Sequence, residues 1–165
     1  PPGTPIDVTF TGTDECGNSG QDGSSVTVLD ETDPEVMCSV GDVELWPPHH
    51  DLVDAGFEYS VVEVCDPDPT VVITVTSDEH PEFECGAGGT IHCPDAVVDG
   101  DTVLLRRERS GGGDGRIYTI TVTVTDDCGN QGSCQATVGV PQSMNPHIDP
   151  IDSGQLYDPT VCTGG

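Results

Sequence analysis

Apolar and polar residues alternate along this chain in short runs. The clearest is Tyr118-Thr-Ile-Thr-Val-Thr-Val-Thr125, where Tyr118, Ile120, Val122 and Val124 share one face and the intervening threonines share the other. A period of two puts successive side chains on opposite sides of an extended backbone, so the run predicts a half-buried antiparallel strand. Similar alternation marks Val8-Thr-Phe10, Val26-Thr-Val28, Tyr59 to Val64, Val71 to Val75, Thr102 to Leu105 and Ala136 to Val140. No segment carries the stripe of an amphipathic helix. Short strands separated by Gly, Pro, Asp and Asn turns predict an all-β antiparallel sandwich of about seven strands. The expected strands lie at 35–39, 42–46, 59–64, 70–76, 102–107, 117–125 and 134–140.

An internal echo divides the chain. Thr13-Asp-Glu-Cys-Gly-Asn-Ser-Gly20 returns as Thr125-Asp-Asp-Cys-Gly-Asn-Gln-Gly132, each copy between two strand signals. Gly and Asn accept the positive φ that a tight hairpin needs, so the same hairpin is expected twice. Residues 33–140 then hold one complete sandwich. Residues 1–32 resemble the last two strands of a preceding or partner domain, and a lone hairpin is marginal in water. Residues 141–165, rich in turn residues, predict an extended tail carrying one Cys.

Charge narrows the partners. Thirty Asp and Glu stand against four Arg and no Lys, a formal net charge of −26. Such a surface repels nucleic acid and anionic membranes, and no run is long and apolar enough to predict membrane insertion. Eight Cys in a chain with few aromatics predict disulfides, hence an oxidising compartment and a secreted or cell-surface location. The Cys spacing lacks the CxxC pairs of a zinc ribbon. Cys38 is in phase with Val36 and Val40, and Cys134 with Ala136 and Val138, so both are expected to face the interior and to bond each other.

Taken in order, Val36-Met-Cys38, Leu45-Trp-Pro-Pro-His49, Cys65-Asp-Pro-Asp-Pro69, Leu105-Arg-Arg-Glu-Arg-Ser110, Arg116-Ile-Tyr-Thr-Ile-Thr121 and Thr125-Asp-Asp-Cys-Gly-Asn130 carry a family likeness. The set resembles the HYR-like, immunoglobulin-like repeats of large bacterial extracellular proteins. The resemblance covers 33–140 well and 6–34 as a partial copy. It implies an immunoglobulin-like sandwich acting as a spacer or adhesive module, with no catalytic residues to transfer. It also implies that Cys65 pairs with Cys128. Cys85 and Cys93 are expected to close a local loop, which leaves Cys16 and Cys162 as a pair between segments outside the main domain, suited to an intermolecular or end-to-end bond.

Candidate sites follow from residue type. Calcium takes six to eight oxygens at bends, so Asp30, Asp33, Asp66 and Asp68 are its expected ligands, against the plainer reading of a solvated acidic surface. His49, His50, His80 and His92, with Glu82 and Glu84 nearby, are conceivable transition-metal ligands but read more simply as exposed loop residues. All four Arg lie between 106 and 116. Arg106, Arg107, Arg109 and Arg116 either meet an acidic neighbour or, with more weight, pair internally with acids such as Glu108. Val8 and Phe10 are expected at an interface. No nucleophile elbow, metalloprotease helix or phosphate loop occurs, so the chain reads as non-enzymatic. The leading expectation is an extracellular structural or adhesive subunit that joins copies of itself head to tail by β-strand complementation. The alternatives are a tandem spacer repeat of a large adhesin, and a glycan-binding accessory module centred on Trp46 and the 85–93 loop.

Overall fold

The computed structural model describes residues 3–80 and 92–162 of the chain. The fold is an all-β, immunoglobulin-like antiparallel sandwich, with a separate hairpin before it and a tail after it. The hairpin is β1 (Pro5–Thr13) and β2 (Ser19–Thr27). The sandwich contains β3 (Glu35–Ser39), β4 (Leu52–Asp54), β5 (Glu58–Val62), β6 (Thr70–Ser77), β7 (Ala96–Asp99), β8 (Thr102–Arg106), β9 (Arg116–Thr125) and β10 (Gln131–Val140). In the tail, β11 (Ser143–Met144) and β12 (His147–Ile148) make a short ribbon.

Three hydrogen-bonded sets build the sandwich, in the orders β10-β9-β6, β3-β5 and β4-β8-β7. Alternation decides what faces inward. Tyr118, Ile120, Val122 and Val124 on β9 and Val138 and Val140 on β10 share one core with Val103 and Leu105 of β8, Ala96 of β7 and Phe57 of the β4–β5 loop. The β9 threonines pair outward with polar residues, as Gln135 and Gln131 donate to Thr121 and Thr125. Burial of this continuous apolar layer is the main stabilising contribution, at roughly 25 cal/mol per Å2 removed from water.

Two strands escape the periodic pattern. Residues 42–46 do not form a strand; Glu44 makes a single parallel bridge to Gly139, and Leu45 alone enters the core. The Pro47-Pro48 pair stops the ladder there, because proline has no N–H to donate. Strands β4 and β7 are too short for alternation to show. They exist because each pairs with an edge of β8.

The tail returns to the sandwich. Ser77 and Tyr157 exchange backbone hydrogen bonds, and Asp95 and Ala96 both donate to the Pro159 carbonyl. Cys162 is bonded to Cys93, with Cα atoms 5.8 Å apart. The local Cys85–Cys93 bridge is therefore excluded, and so is a Cys16–Cys162 pair; Cys85 itself lies outside the described residues. Spacing favoured the near partner, but docking of the tail along β6 and β7 brings the distant one into reach. Cys38 and Cys134, expected to pair from their phase, are bonded between β3 and β10. Two disulfides indicate an oxidising environment. Among the described residues no helix is long and apolar enough to cross a membrane.

Candidate functional site

The two copies of the echoed motif fold alike. In each, the first Asp accepts hydrogen bonds from the backbone two and four residues on and from the Asn side chain. Asp14 accepts from Cys16 N at 2.9 Å, Asn18 N at 2.8 Å and Asn18 Nδ2 at 2.8 Å. Asp126 accepts from Cys128 N at 2.8 Å, Asn130 N at 2.8 Å and Asn130 Nδ2 at 2.7 Å. Gly17 and Gly129 sit at φ 86° and 91°, the left-handed region glycine enters without steric cost. The Asn18 amide and the backbone donors hold the Asp14 carboxyl below the usual carboxylate range.

Register is shared as well. Thr13 faces Ser19 as Thr125 faces Gln131, and at the far end Pro5 faces Thr27 as Ile117 faces Gly139. Ile6, Val8, Phe10 and Val26 thus occupy the places that Tyr118, Ile120, Val122 and Val138 hold in β9–β10. Those four are fully buried, whereas Ile6, Phe10 and Val26 are 57%, 60% and 53% exposed and Val8 is half-buried. Gly20 and Gly132 show the same contrast. A Cβ on Gly132 would overlap the Pro34 carbonyl, while around Gly20 the corresponding space is empty. The hairpin presents a core face without a core.

At one pole of the sandwich the 28–34 linker, the β5–β6 loop and the β9–β10 turn converge. Asn130 Nδ2 donates to the Asp30 carbonyl at 3.2 Å, and Asp127 N donates to Asp66 Oδ2 at 3.0 Å. Asp66 is buried and also caps the backbone of Asp68. The four acids expected to hold calcium do not form one cluster. Asp30 gathers with Glu63 and Cys65, Asp66 serves the turn, and Asp33 and Asp68 face solvent. The sequence put Asp30 and Asp33 in a linker and Asp66 and Asp68 in a turn-rich loop, but it could not show that backbone N–H groups would take up Asp66. Cys65 and Cys128 both reach this pole but are exposed and unbonded, so the pairing that the resemblance implies is not made in this structure. A hydrogen bond to Asp30, with slight desolvation and the charges of Asp30 and Glu63, pushes the Cys65 thiol above its ordinary value.

The arginines turn inward rather than toward a neighbour. Arg116, almost fully buried, pairs with Asp95 and with Glu79 and lies 5.5 Å from the centre of the Tyr118 ring. Arg106 binds Asp95 at 3.1 Å together with the Pro94 and His50 carbonyls. Arg107 forks onto Asp51, and Arg109 donates to the carbonyls of Pro141 and Gln142. The expected head-to-tail surface of Arg106, Arg107, Arg109 and Arg116 is therefore not available, and the internal-pairing alternative describes the molecule. Their partners are Asp95, Asp51 and Glu79 rather than Glu108.

Glu108 has a different setting, which the sequence did not disclose. Its side chain is 2% exposed, and Oε2 lies 2.8 Å from His50 Nδ1 and 3.2 Å from His92 Nδ1. Among the described residues Oε2 has no hydrogen-bond partner. The two imidazoles stack with centroids 4.6 Å apart. Glu108 stands among three arginines in sequence, which made it read as a surface partner of one of them. Only the departure of the chain from β8 carries it inward. A separate open cleft of about 400 Å3 is lined by Asp78, Glu79, His80, Ser110 and Tyr157. Trp46 is 39% exposed and does not plug the sandwich, Leu45 taking that place.

Compared with known proteins, the sequence matches no family model and no curated protein.

Proposed function

We propose that the chain is part of a non-catalytic, extracellular structural or adhesive protein built from tandem immunoglobulin-like repeats of the HYR-like kind. Residues 33–140 are one repeat, and residues 1–32 close the sandwich of the repeat before it. One observation carries this reading. The β1–β2 hairpin has the turn, register and apolar phase of β9–β10, yet exposes the face that β9–β10 buries. An apolar sheet face of this kind is stable only when another layer covers it. The disulfides fit secretion, and the acidic surface suits a soluble spacer.

Joining of separate copies by strand complementation is favoured less. The place a donated hairpin would fill in the sandwich is held by the chain's own β9–β10, flanked by β6 and stapled to β3. A hairpin whose sandwich comes from the same polypeptide needs no such vacancy. Intact mass of the secreted polypeptide, with amide hydrogen exchange on it, tests the proposal. The expected mass is well above 17.2 kDa, with β1–β2 amides protected to the same degree as β9–β10. A secreted product of that mass or less, or fast exchange across β1–β2 in the longer protein, would sink the tandem reading.

A further inference from the structure

We propose that His50, His92 and Glu108 form a binding site for one divalent transition-metal ion of the zinc type, bound by two imidazole nitrogens and one carboxylate oxygen. The three donor atoms all lie within 4.8 Å of one another. Ligand atoms at ~2.1 Å from a tetrahedral ion stand ~3.4 Å apart. The 2.8 and 3.2 Å separations at Glu108 Oε2 are close to that spacing and need only small outward shifts. Both rings present the same nitrogen, Nδ1, to the same oxygen, and their stacking turns those two edges toward one point.

Charge supplies the second argument. A carboxylate this deeply buried is costly unless a cation or hydrogen-bond donors compensate it. Among the described residues Glu108 Oε2 has no hydrogen-bond donor, and the arginines around it are engaged by Asp95, Glu79, Asp51 and backbone carbonyls. Two imidazoles with one carboxylate select a borderline ion such as zinc over calcium or magnesium, which take sets of oxygens.

The ligands come from segments fixed by other contacts. His50 N donates to the Arg107 carbonyl at 3.1 Å, while the His50 carbonyl accepts from the Arg106 guanidinium. His50 adopts φ 63°, an uncommon conformation for a side-chain-bearing residue. His92 precedes Cys93, which the disulfide ties to Cys162. Glu108 N donates to the Arg106 carbonyl at 2.8 Å. Bound metal would join the loop before β4, the segment before β7 and the strand end after β8. The imidazole rings remain 47% and 31% exposed, whereas His92 Nδ1 and Glu108 Oε2 are themselves shielded from solvent.

The test uses the full oxidised chain stripped with chelator, then titrated with Co2+ and Zn2+. The expected result is one equivalent bound, a Co2+ absorption spectrum of tetrahedral type that Zn2+ abolishes, and a raised melting temperature. Glu108→Gln, His50→Ala and His92→Ala should each lose at least ~100-fold in affinity, more than changes outside the coordination sphere usually cost. His147, grouped with Glu44 and Asp149, is the control, and His147→Ala should bind as the parent does. If Glu108→Gln does not fold, the half-exposed His50→Ala variant decides. Absence of stoichiometric binding, or binding lost in His147→Ala and kept in His50→Ala, overturns the proposal.

Discussion

At the scale of single residues, Gly132 and Gly20 report the same site in two states. Beside Gly132 the Pro34 carbonyl passes so close that a methyl group has no room, whereas the matching space at Gly20 is open. Gly132→Ala should therefore cost about 1–3 kcal/mol through overpacking against backbone that cannot yield. In the 165-residue chain Gly20→Ala should be neutral or slightly stabilising. In the longer polypeptide it should become as costly as Gly132→Ala, because there the preceding repeat brings its own linker alongside. Chemical denaturation of the four proteins checks this, and a Gly20→Ala that stays neutral in the long form would argue against a covering layer. The Cys65 thiol carries a second prediction at this scale. Asp30 raises its pKa, so thiolate is scarce and closure of a Cys65–Cys128 bond is slow at neutral pH. Asp30→Asn should speed formation of that bond several-fold in a glutathione buffer, read by non-reducing peptide mapping. Failure of the bond to form in either protein after complete oxidation would leave both thiols free by design of the fold.

Among the elements, the hairpin and the tail behave oppositely, and cysteine chemistry separates them. The tail is fastened by Cys93–Cys162, so Cys162→Ser should release residues 155–162 to proteolysis while the sandwich persists. Cys16 occupies the position of Cys128 in the echo, so its partner is expected on the β5–β6-type loop of the preceding sandwich. Mapping of the secreted protein should find Cys16 bonded to an upstream Cys; a bond from Cys16 into residues 33–162 would contradict it. Much of this architecture was legible in the sequence. Strands β6, β8, β9 and β10 announced themselves because one face is buried and the other wet, which forces a period of two. The echo fixed the hairpin because Asp, Gly and Asn each have a geometric duty in the turn. Strand β4 and the tail's return did not show, since their order comes from pairing with β8, β6 and the 93–162 disulfide, all distant in sequence, and the four residues of β7 are too few for alternation to mark them. Of the His50–His92–Glu108 cluster the two histidines were conceivable metal ligands from the sequence, but their meeting with Glu108 was hidden for the same reason. Its members lie far apart along the chain, and each sits in a stretch that reads locally as a polar loop or a charged strand end.

For the molecule as a whole, charge sets the dependence on pH. Thirty acids against four arginines repel one another at neutrality, and the folded state holds them closer than the unfolded chain does. Asp78 and Glu79 add to this effect. Burial raises both carboxyls above their ordinary values, against the opposing pull of the Ile117 and Ser153 backbone donors on Asp78 and of the Ser110 backbone donor and Arg116 on Glu79. A group whose folded pKa lies above its unfolded value takes up protons on folding. The stability it adds is complete below the unfolded value and is lost as pH rises through the folded one. Asp14 has the opposite sign: its depressed carboxyl stabilises the hairpin turn at neutral pH and stops doing so as pH falls through its folded value. The two windows lie on either side of the ordinary carboxylate range, so maximum stability should fall on the mildly acidic side. With chelator present to keep the histidine cluster free of metal, the melting temperature should rise as pH is lowered from about 7 to about 5, and fall again below about 3. Added salt should raise it at pH 7 and much less at pH 5, because screening and protonation relieve the same repulsion. A melting temperature that is flat or falling between pH 7 and 5, and insensitive to salt at pH 7, would mean that repulsion among the surface acids does not limit stability.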